Sequence, residues 1–282
     1  MNSRRRFLKI AGTGALAAGF TNSFASAPIK VYDAGTNLTL GMAGYTFREF
    51  TIEQTIDLMT RIDVKYVSLK DFHLPYNSTQ EKINEVLKKF SDAGITVYTL
   101  GVIYMKSKEF VDQAFNYAKM AGMKMIVSAP DYELLDYVEQ KARENDIRVA
   151  IHNHGPDNTL YPNAKDIWEN IKNRDTRMGI CIDIGHTLRD GANPAEDILT
   201  YSERIYDVHI KDVTAASKEG TTVEMGRGKI DIPAVIDALL KINYSGKCSL
   251  EFEKDMKDPI AGIAESIGYW KGVISGLKTK TS

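Results

Sequence analysis

The 282-residue chain is poor in cysteine, with only Cys181 and Cys248. Each lies inside an apolar, strand-like run. Two buried thiols are therefore expected rather than a disulfide, and no thiolate metal site can be assembled. There is no excess of basic charge: 36 Lys and Arg face 37 Asp and Glu, a formal net charge of −1. A nucleic-acid partner calls for a basic surface, so the balance argues against one. No apolar run is long enough for a stable membrane span; the longest mild stretch, residues 10–20, is short and rich in Gly and Ala. Low-complexity tracts are absent, and hydrophobic residues make up 43% of the chain. That composition supports a sizeable core and excludes a disordered or fibrous protein. No glycine-rich phosphate loop follows the first strand-like run, which reads GMAGYTF.

What is present begins with a basic N-terminus, SRRRFLKIAGTGALAAGF. Arg4 and Arg5, followed by Phe7, Leu8 and Lys9, match the twin-arginine pattern that sends folded proteins out of a bacterial cytoplasm. Small residues at Ser23, Ala25 and Ala27 offer cleavage sites, with Pro28 disfavouring the cut after Ala27. The expected division is a leader over 1–27 and one catalytic domain over 28–282, located in the periplasm or cell envelope. Removal of Arg4, Arg5, Arg6 and Lys9 leaves 32 basic against 37 acidic residues, a net charge of −5. Export of a folded protein also suits a chain that must capture a cofactor before leaving.

Beyond the leader, β-rich runs alternate with amphipathic stretches. Strands are predicted over 38–47, 66–70, 95–101, 124–130, 147–155, 178–186, 205–213 and 247–255. Helices are predicted over 51–62, 79–93, 108–121, 132–145, 163–173, 194–204, 231–242 and 258–277. In the second helix Ile83, Val86, Leu87 and Phe90 recur at three- and four-residue steps. Eight strands alternating with eight helices over short loops predict a single α/β domain, a (β/α)8 barrel. A doubly wound open sheet is the alternative, and it would be expected to carry the phosphate loop that is missing.

Active sites of such barrels lie at the C-terminal ends of the strands. His73 follows the second predicted strand, His152 and His154 end the fifth, His186 ends the sixth, and His209 is late in the seventh. All five histidines of the chain thus fall at one rim. Strand alternation then sorts the side chains. With His152, Asp183, His209 and Glu251 pointing inward, Val149, Ile151, Ile180, Ile182, Val208, Ile210, Leu250 and Phe252 all face the helices. The opposite parity would bury carboxylates in the helix layer at a high desolvation cost. Two carboxylates and two imidazoles converging in a partly buried mouth point to one divalent metal ion, with Mn, Co, Zn and Fe all suited to the mixed nitrogen and oxygen donors. A polar cluster without metal is the alternative. Glu253 shares the parity of Glu251 and rivals it as ligand, but Glu251 aligns in depth with Asp183 and His209.

Four motifs in order, DIGH (183–186), HIKD (209–212), GRGKID (226–231) and SLEFE (249–253), resemble those of the xylose-isomerase-like sugar isomerase and epimerase family. The resemblance covers nearly the whole chain after the leader. It implies that Asp183, His209 and Glu251 bind one divalent metal and that His186 and Arg227 contact substrate. Sugar epimerases of this family have a glutamate at the end of the fifth strand, as a ligand and as one of two acid/base groups. This chain has His152 there, which departs from the symmetrical two-glutamate arrangement. Glu251 then remains as base, with Lys211, His154 or Glu224 as the second proton-handling group, and His73 as a further pocket residue.

The chemistry expected is proton abstraction next to a sugar carbonyl through an enediolate, hence a metal-dependent sugar isomerase or epimerase. A lyase or hydratase of 3-keto-glycosides, using the same enolisation, is the alternative. The expected partner is a small unphosphorylated sugar or glycoside, with no nucleic acid and no membrane after leader removal; a homo-oligomer is compatible with the sequence. Two remoter readings are a non-catalytic sugar-binding protein and a zinc endonuclease of abasic DNA. The latter needs several metals and a basic face, which five histidines and a charge of −5 argue against.

Overall fold

The structure, a computed structural model, describes residues 38–279; the predicted leader over 1–27 lies outside the described residues. Eight parallel strands close into a barrel in which each neighbours the next in chain order and the last pairs with the first. These are β1 (Thr39–Ala43), β2 (Tyr66–Leu69), β3 (Thr96–Met105), β4 (Met125–Pro130), β5 (Arg148–His152), β6 (Met178–Asp183), β7 (Ile205–Ile210) and β10 (Lys247–Leu250). The short strands β8 (Asp212–Val213) and β9 (Thr222–Val223) pair antiparallel outside the barrel. The α/β barrel expected from the alternation is therefore the architecture observed.

The surrounding helices are α1 (Ile52–Arg61), α2 (Gln80–Asp92), α3 (Lys108–Met120), α4 (Leu135–Asn145), α5 (Ala164–Ile171), α6 (Ile184–Arg189), α7 (Pro194–Thr200), α8 (Ile232–Lys241) and α9 (Ile260–Thr279). Several of them start at side chains that accept orphan backbone N–H groups. Thr51 and Gln54 form a reciprocal capping box on α1, and Ser107, Asn163 and Asn193 cap α3, α5 and α7. On α8, Ile232, Val235, Ile236, Leu239 and Leu240 are all buried. Each such side chain contributes roughly 1.5–3 kcal/mol by leaving water.

The inner and outer faces follow the predicted parity. Val149, Ile151, Ile180, Ile182, Val208, Ile210, Leu250 and Phe252 are buried in the layer shared with the helices. Register carries the inward residues to a common depth, with His152 beside Cys181, Asp183 beside His209, and His209 beside Ser249. One layer below the rim, Tyr98 donates to Asp207 at 3.0 Å and lies 2.7 Å from Ser249 Oγ, a polar plug inside the barrel. Cys181 and Cys248 are both free and buried, on strand faces of opposite parity.

The strand ends differ from those predicted, and each difference shapes the rim. β6 stops at Asp183 rather than at residue 186, because the Asp183 carboxylate accepts the His186 N–H at 2.8 Å and starts α6 at once. The predicted sixth helix, 194–204, is only α7 and a following 3-10 turn; α6 is an additional short helix. β7 ends at Ile210 and the chain leaves into the β8–β9 hairpin, while β3 runs to Met105, four residues beyond its predicted end.

Candidate active site

Asp183 is fixed from both sides. The residue between the two histidines of β5 and its following turn, Asn153, is fully buried; its side-chain oxygen accepts the Asp183 N–H at 2.7 Å. Its amide donates to Asp183 O and to Thr187 Oγ1, both at 3.2 Å. This amide ties the ends of β5 and β6 together, so His152 and Asp183 are presented side by side. Gly155 adopts φ +74°, and a Cβ there would sit 3.1 Å from His186 Nδ1. The turn after His154 therefore favours glycine both for its backbone and for its contact.

The structure brings together His152, Asp183, His209 and Glu251, all buried, with one donor atom of each lying within 4.8 Å of the others. His152 Nε2 is 3.1 Å from His209 Nδ1 and 3.6 Å from Asp183 Oδ2, and His209 Nδ1 is 3.7 Å from Glu251 Oε2. Asp183 Oδ2 faces the Lys211 ammonium and His152 Nε2 without a well-formed hydrogen bond to either. Lys211 Nζ lies 3.1 Å from Asp183, 2.7 Å from Glu251 and 2.6 Å from Glu253. Three carboxylates against one ammonium leave two negative charges in excess, and the facing imidazoles offer lone pairs. That donor set and charge fit a divalent cation. His152, Asp183, His209 and Glu251 are the residues that would hold it.

Burial raises the Glu251 and Asp183 pKa values, but the Lys211 ammonium, with His209 beside Glu251 and His186 and His152 beside Asp183, holds both carboxyls below the usual range. Lys211 itself is buried, which opposes its charge, yet Asp183, Glu251 and Glu253 keep it protonated well above the ordinary lysine value. Burial lowers the His152 pKa, whereas for His209 burial is outweighed by the bond to Glu251 together with the charges of Glu251, Asp207 and Asp183, which raise it. His154 is pushed down to about 3 by burial and by His152 and His186, and His186 to about 4, mainly by burial. At neutral pH both are uncharged imidazoles.

A cavity of about 350 Å³ opens over this cluster, bounded by His152, His154, His186, His209, Glu251 and Glu253 on one side. Tyr45, Lys70, Gly101 and Tyr104 bound it on the other. His154 Nε2 is 2.9 Å from the Tyr104 hydroxyl. Arg189 Nη1 is 3.1 Å from His186 Nδ1. Because a guanidinium can only donate, that nitrogen must accept, and the His186 proton sits on Nε2.

Three residues expected near the substrate are placed elsewhere. His73 Nε2 lies 3.1 Å from Phe47 O and 3.2 Å from Phe50 O, tying the β2–α2 connection to the β1–α1 connection. Arg227 is 60% exposed and pairs with Glu265 on α9 at 2.6 Å. Glu224 accepts from Lys254 at 2.7 Å. None of the three lines the cavity, because each side chain is claimed by a partner remote in sequence. The GRGKID segment is instead architectural: Asp212 of HIKD accepts the N–H groups of Gly226, Gly228 and Ile230 at 2.9, 3.0 and 3.1 Å. A Cβ at Gly228 would lie 2.1 Å from that carboxylate.

Sequence reasoning overlooked Tyr104, Lys70, Tyr45, Asn153 and Arg189. Tyr104 could have been found only by extending β3, and Asn153 only by asking what aligns two adjacent strand ends. Arg189 lies one turn beyond His186 on a helix taken to be loop.

The sequence profile of the xylose isomerase-like TIM barrel matches residues 56–273. The chain belongs to that family. Among curated proteins, it is 28% identical over 138 residues to the rhizopine catabolism protein MocC of Rhizobium meliloti, covering 44% of this chain and 42% of that one. It is 26% identical over 137 residues to an inosose dehydratase of Clostridium botulinum, covering 43% and 45%. The chain thus spans less than half the length of these two relatives. Among solved structures, an uncharacterised protein of Parabacteroides distasonis shares 26% identity with a TM-score of 0.65, over 83% of this chain and 98% of that one. A D-tagatose 3-epimerase-like protein superposes with a TM-score of 0.72 at 16% identity, covering 87% and 100%. The 3-keto-D-glucoside 4-epimerase of E. coli does so at 0.67 and 15%, covering 84% and 100%. These last two likenesses bear on the fold.

Proposed function

We propose that this protein is a divalent-metal-dependent carbohydrate enzyme that removes a proton next to the carbonyl of a keto-sugar or keto-polyol. In this reading it completes the reaction at the neighbouring carbon as a lyase or dehydratase. The observation that carries the reading is the buried convergence of His152, Asp183, His209 and Glu251 beside a protonated Lys211.

The residues divide the work by charge. Glu251 is held ionised, so its carboxylate is available to take a proton. Lys211 Nζ, 2.7 Å from Glu251 Oε2, keeps a positive charge beside the base and can stabilise an oxygen that gains negative charge. A bound divalent cation would supply Lewis-acid polarisation of the substrate carbonyl. His186, with its proton fixed on Nε2, is a hydrogen-bond donor into the cavity. Tyr104, bonded to neutral His154 at 2.9 Å, is a phenol able to donate to a departing hydroxyl.

Elimination is favoured over epimerisation because the ionised carboxylates cluster on one side. Glu251 and Glu253 both contact Lys211, while the fifth strand contributes an imidazole. The sequence relatives named as inosose dehydratases support the same outcome. Isomerisation or epimerisation is the second reading, since Tyr104 and His154 line the cavity from β3 and the β5 turn and could return a proton to a substrate held there. The twin-arginine pattern supports a location outside the cytoplasm, and the lack of a phosphate loop supports an unphosphorylated substrate.

The test is incubation of manganese-loaded protein in deuterated water with keto-sugars, keto-inositols and 3-keto-glycosides. Deuterium at the carbon next to the carbonyl, or loss of water or aglycone, is expected. Protein that binds metal but exchanges no deuterium with any of them refutes the reading.

A further inference from the structure

A second cavity of about 250 Å³ adjoins the first, walled by His186, Arg189, Lys211, Thr221, Thr222 and Glu253. His186 and Glu253 line both spaces, so the two are neighbours across these side chains. The first reaches from the barrel centre toward β1–β3. The second reaches from the centre to the β8–β9 hairpin, which Asp212 of β8 ties to the 226–230 segment. Alone, the first cavity is at the small end of ligand sites, which run from roughly 300 to 1,000 Å³.

The annex has unused hydrogen-bonding capacity. Arg189 spends Nη1 on His186 Nδ1 and Nη2 on Asp157 and on Lys218 O. Its Nε–H is buried and has no protein acceptor. Glu253, 30% exposed, presents a carboxylate on the same wall and gives Oε1 to Lys211. Both cations of the annex are already neutralised, Arg189 by Asp157 and Lys211 by its three carboxylates. An annex without surplus positive charge is poorly suited to a phosphate. A wall offering both N–H donors and a carboxylate acceptor matches hydroxyl groups, which donate and accept at once.

We propose that the substrate is a sugar carrying a second, uncharged glycosyl group. The reacting ring occupies the larger cavity, the second ring occupies the annex, and Arg189 reads the hydroxyls of that second ring. This deepens, and rests on, the enolising reading of the site.

Calorimetry on manganese-loaded protein tests it with unoxidised glucosyl disaccharides of differing linkage against methyl α- and β-glucopyranoside. At least one disaccharide should bind roughly tenfold or more tighter than either methyl glucoside, about 1.4 kcal/mol. Thr222→Phe, which fills the annex, should bring that ratio near one. Arg189→Lys, which keeps a charge for Asp157 but loses the Nε–H, should reduce it to a smaller degree. Equal affinities in the wild type, binding of neither sugar, or a ratio that survives both substitutions overturns the proposal. The two readings fail separately. Deuterium exchange with keto-monosaccharides alongside equal affinities discards the annex and keeps the chemistry. Selective disaccharide binding without exchange does the reverse.

Discussion

Lys211→Met separates the role of the lysine from that of the cation. The Nζ atom lies 2.6–3.1 Å from three carboxylates and the residue is 2% exposed. At an effective dielectric constant of about 20, one such contact is worth about 6 kcal/mol of attraction, offset by desolvation. Removing one partner of a buried ionic cluster costs about 3–5 kcal/mol, because the charges left behind are uncompensated. Methionine fills much of the same volume, so little of the loss is cavity. In chelator-treated protein, urea unfolding should therefore show a stability loss of about 3–5 kcal/mol. With saturating manganese, the excess of three negative charges is what a divalent cation compensates, and the loss should shrink by at least half. The variant should also bind manganese at least as tightly as the wild type, since a competing cation has gone. An equal loss with and without metal, or weaker metal binding, would show that Lys211 does not share the carboxylates with a cation.

His152→Ala should weaken manganese binding by more than the roughly 10–100-fold that loss of an outer hydrogen-bond partner costs, with an unchanged far-ultraviolet circular dichroism spectrum. Undiminished binding by calorimetry removes His152 from the ligand set. His73 gives a pH prediction. Burial lowers its folded pKa below the ordinary value, so the fold favours the neutral ring. The unfolded chain then binds the extra proton, and the associated stability is complete above pH about 6.5 and is lost as pH falls below it. The fall in unfolding free energy between pH 7.5 and 5.5 should be smaller in His73→Gln than in the wild type, and equal falls refute the assignment.

Much of the fold and the inner face of the site could be read from the sequence because both depend on short periods. A two-residue alternation puts Ile180 and Ile182 against the helices, and it places Asp183 in the barrel. Where each strand stops was not legible. Whether β6 continues past Asp183 depends on a carboxylate that caps a helix at 2.8 Å and on the Asn153 amide across the rim. Hydrophobic periodicity carries no information about either bond.

The residues misplaced by sequence reasoning share one physical feature. His73, Glu224 and Arg227 are polar groups near the correct rim, but Phe47 O and Phe50 O, Lys254, and Glu265 satisfy them first. A rim position makes a side chain available; convergence with other ligand atoms makes it a candidate, since His73 Nδ1 and Glu224 Oε2 are also buried without a partner but stand apart from the cluster. At the cluster His152 Nδ1 and His209 Nε2 are buried without a hydrogen-bond partner, as is Arg189 Nε at the annex. Native proteins rarely leave such atoms bare, since each costs about 1–3 kcal/mol. Asp212 marks the opposite extreme. Its carboxylate is saturated by the N–H groups of Val213, Gly226, Gly228 and Ile230. The HIKD and GRGKID motifs are thus one structural clasp, and of those ten positions only His209 and Lys211 have side chains at the charged cluster.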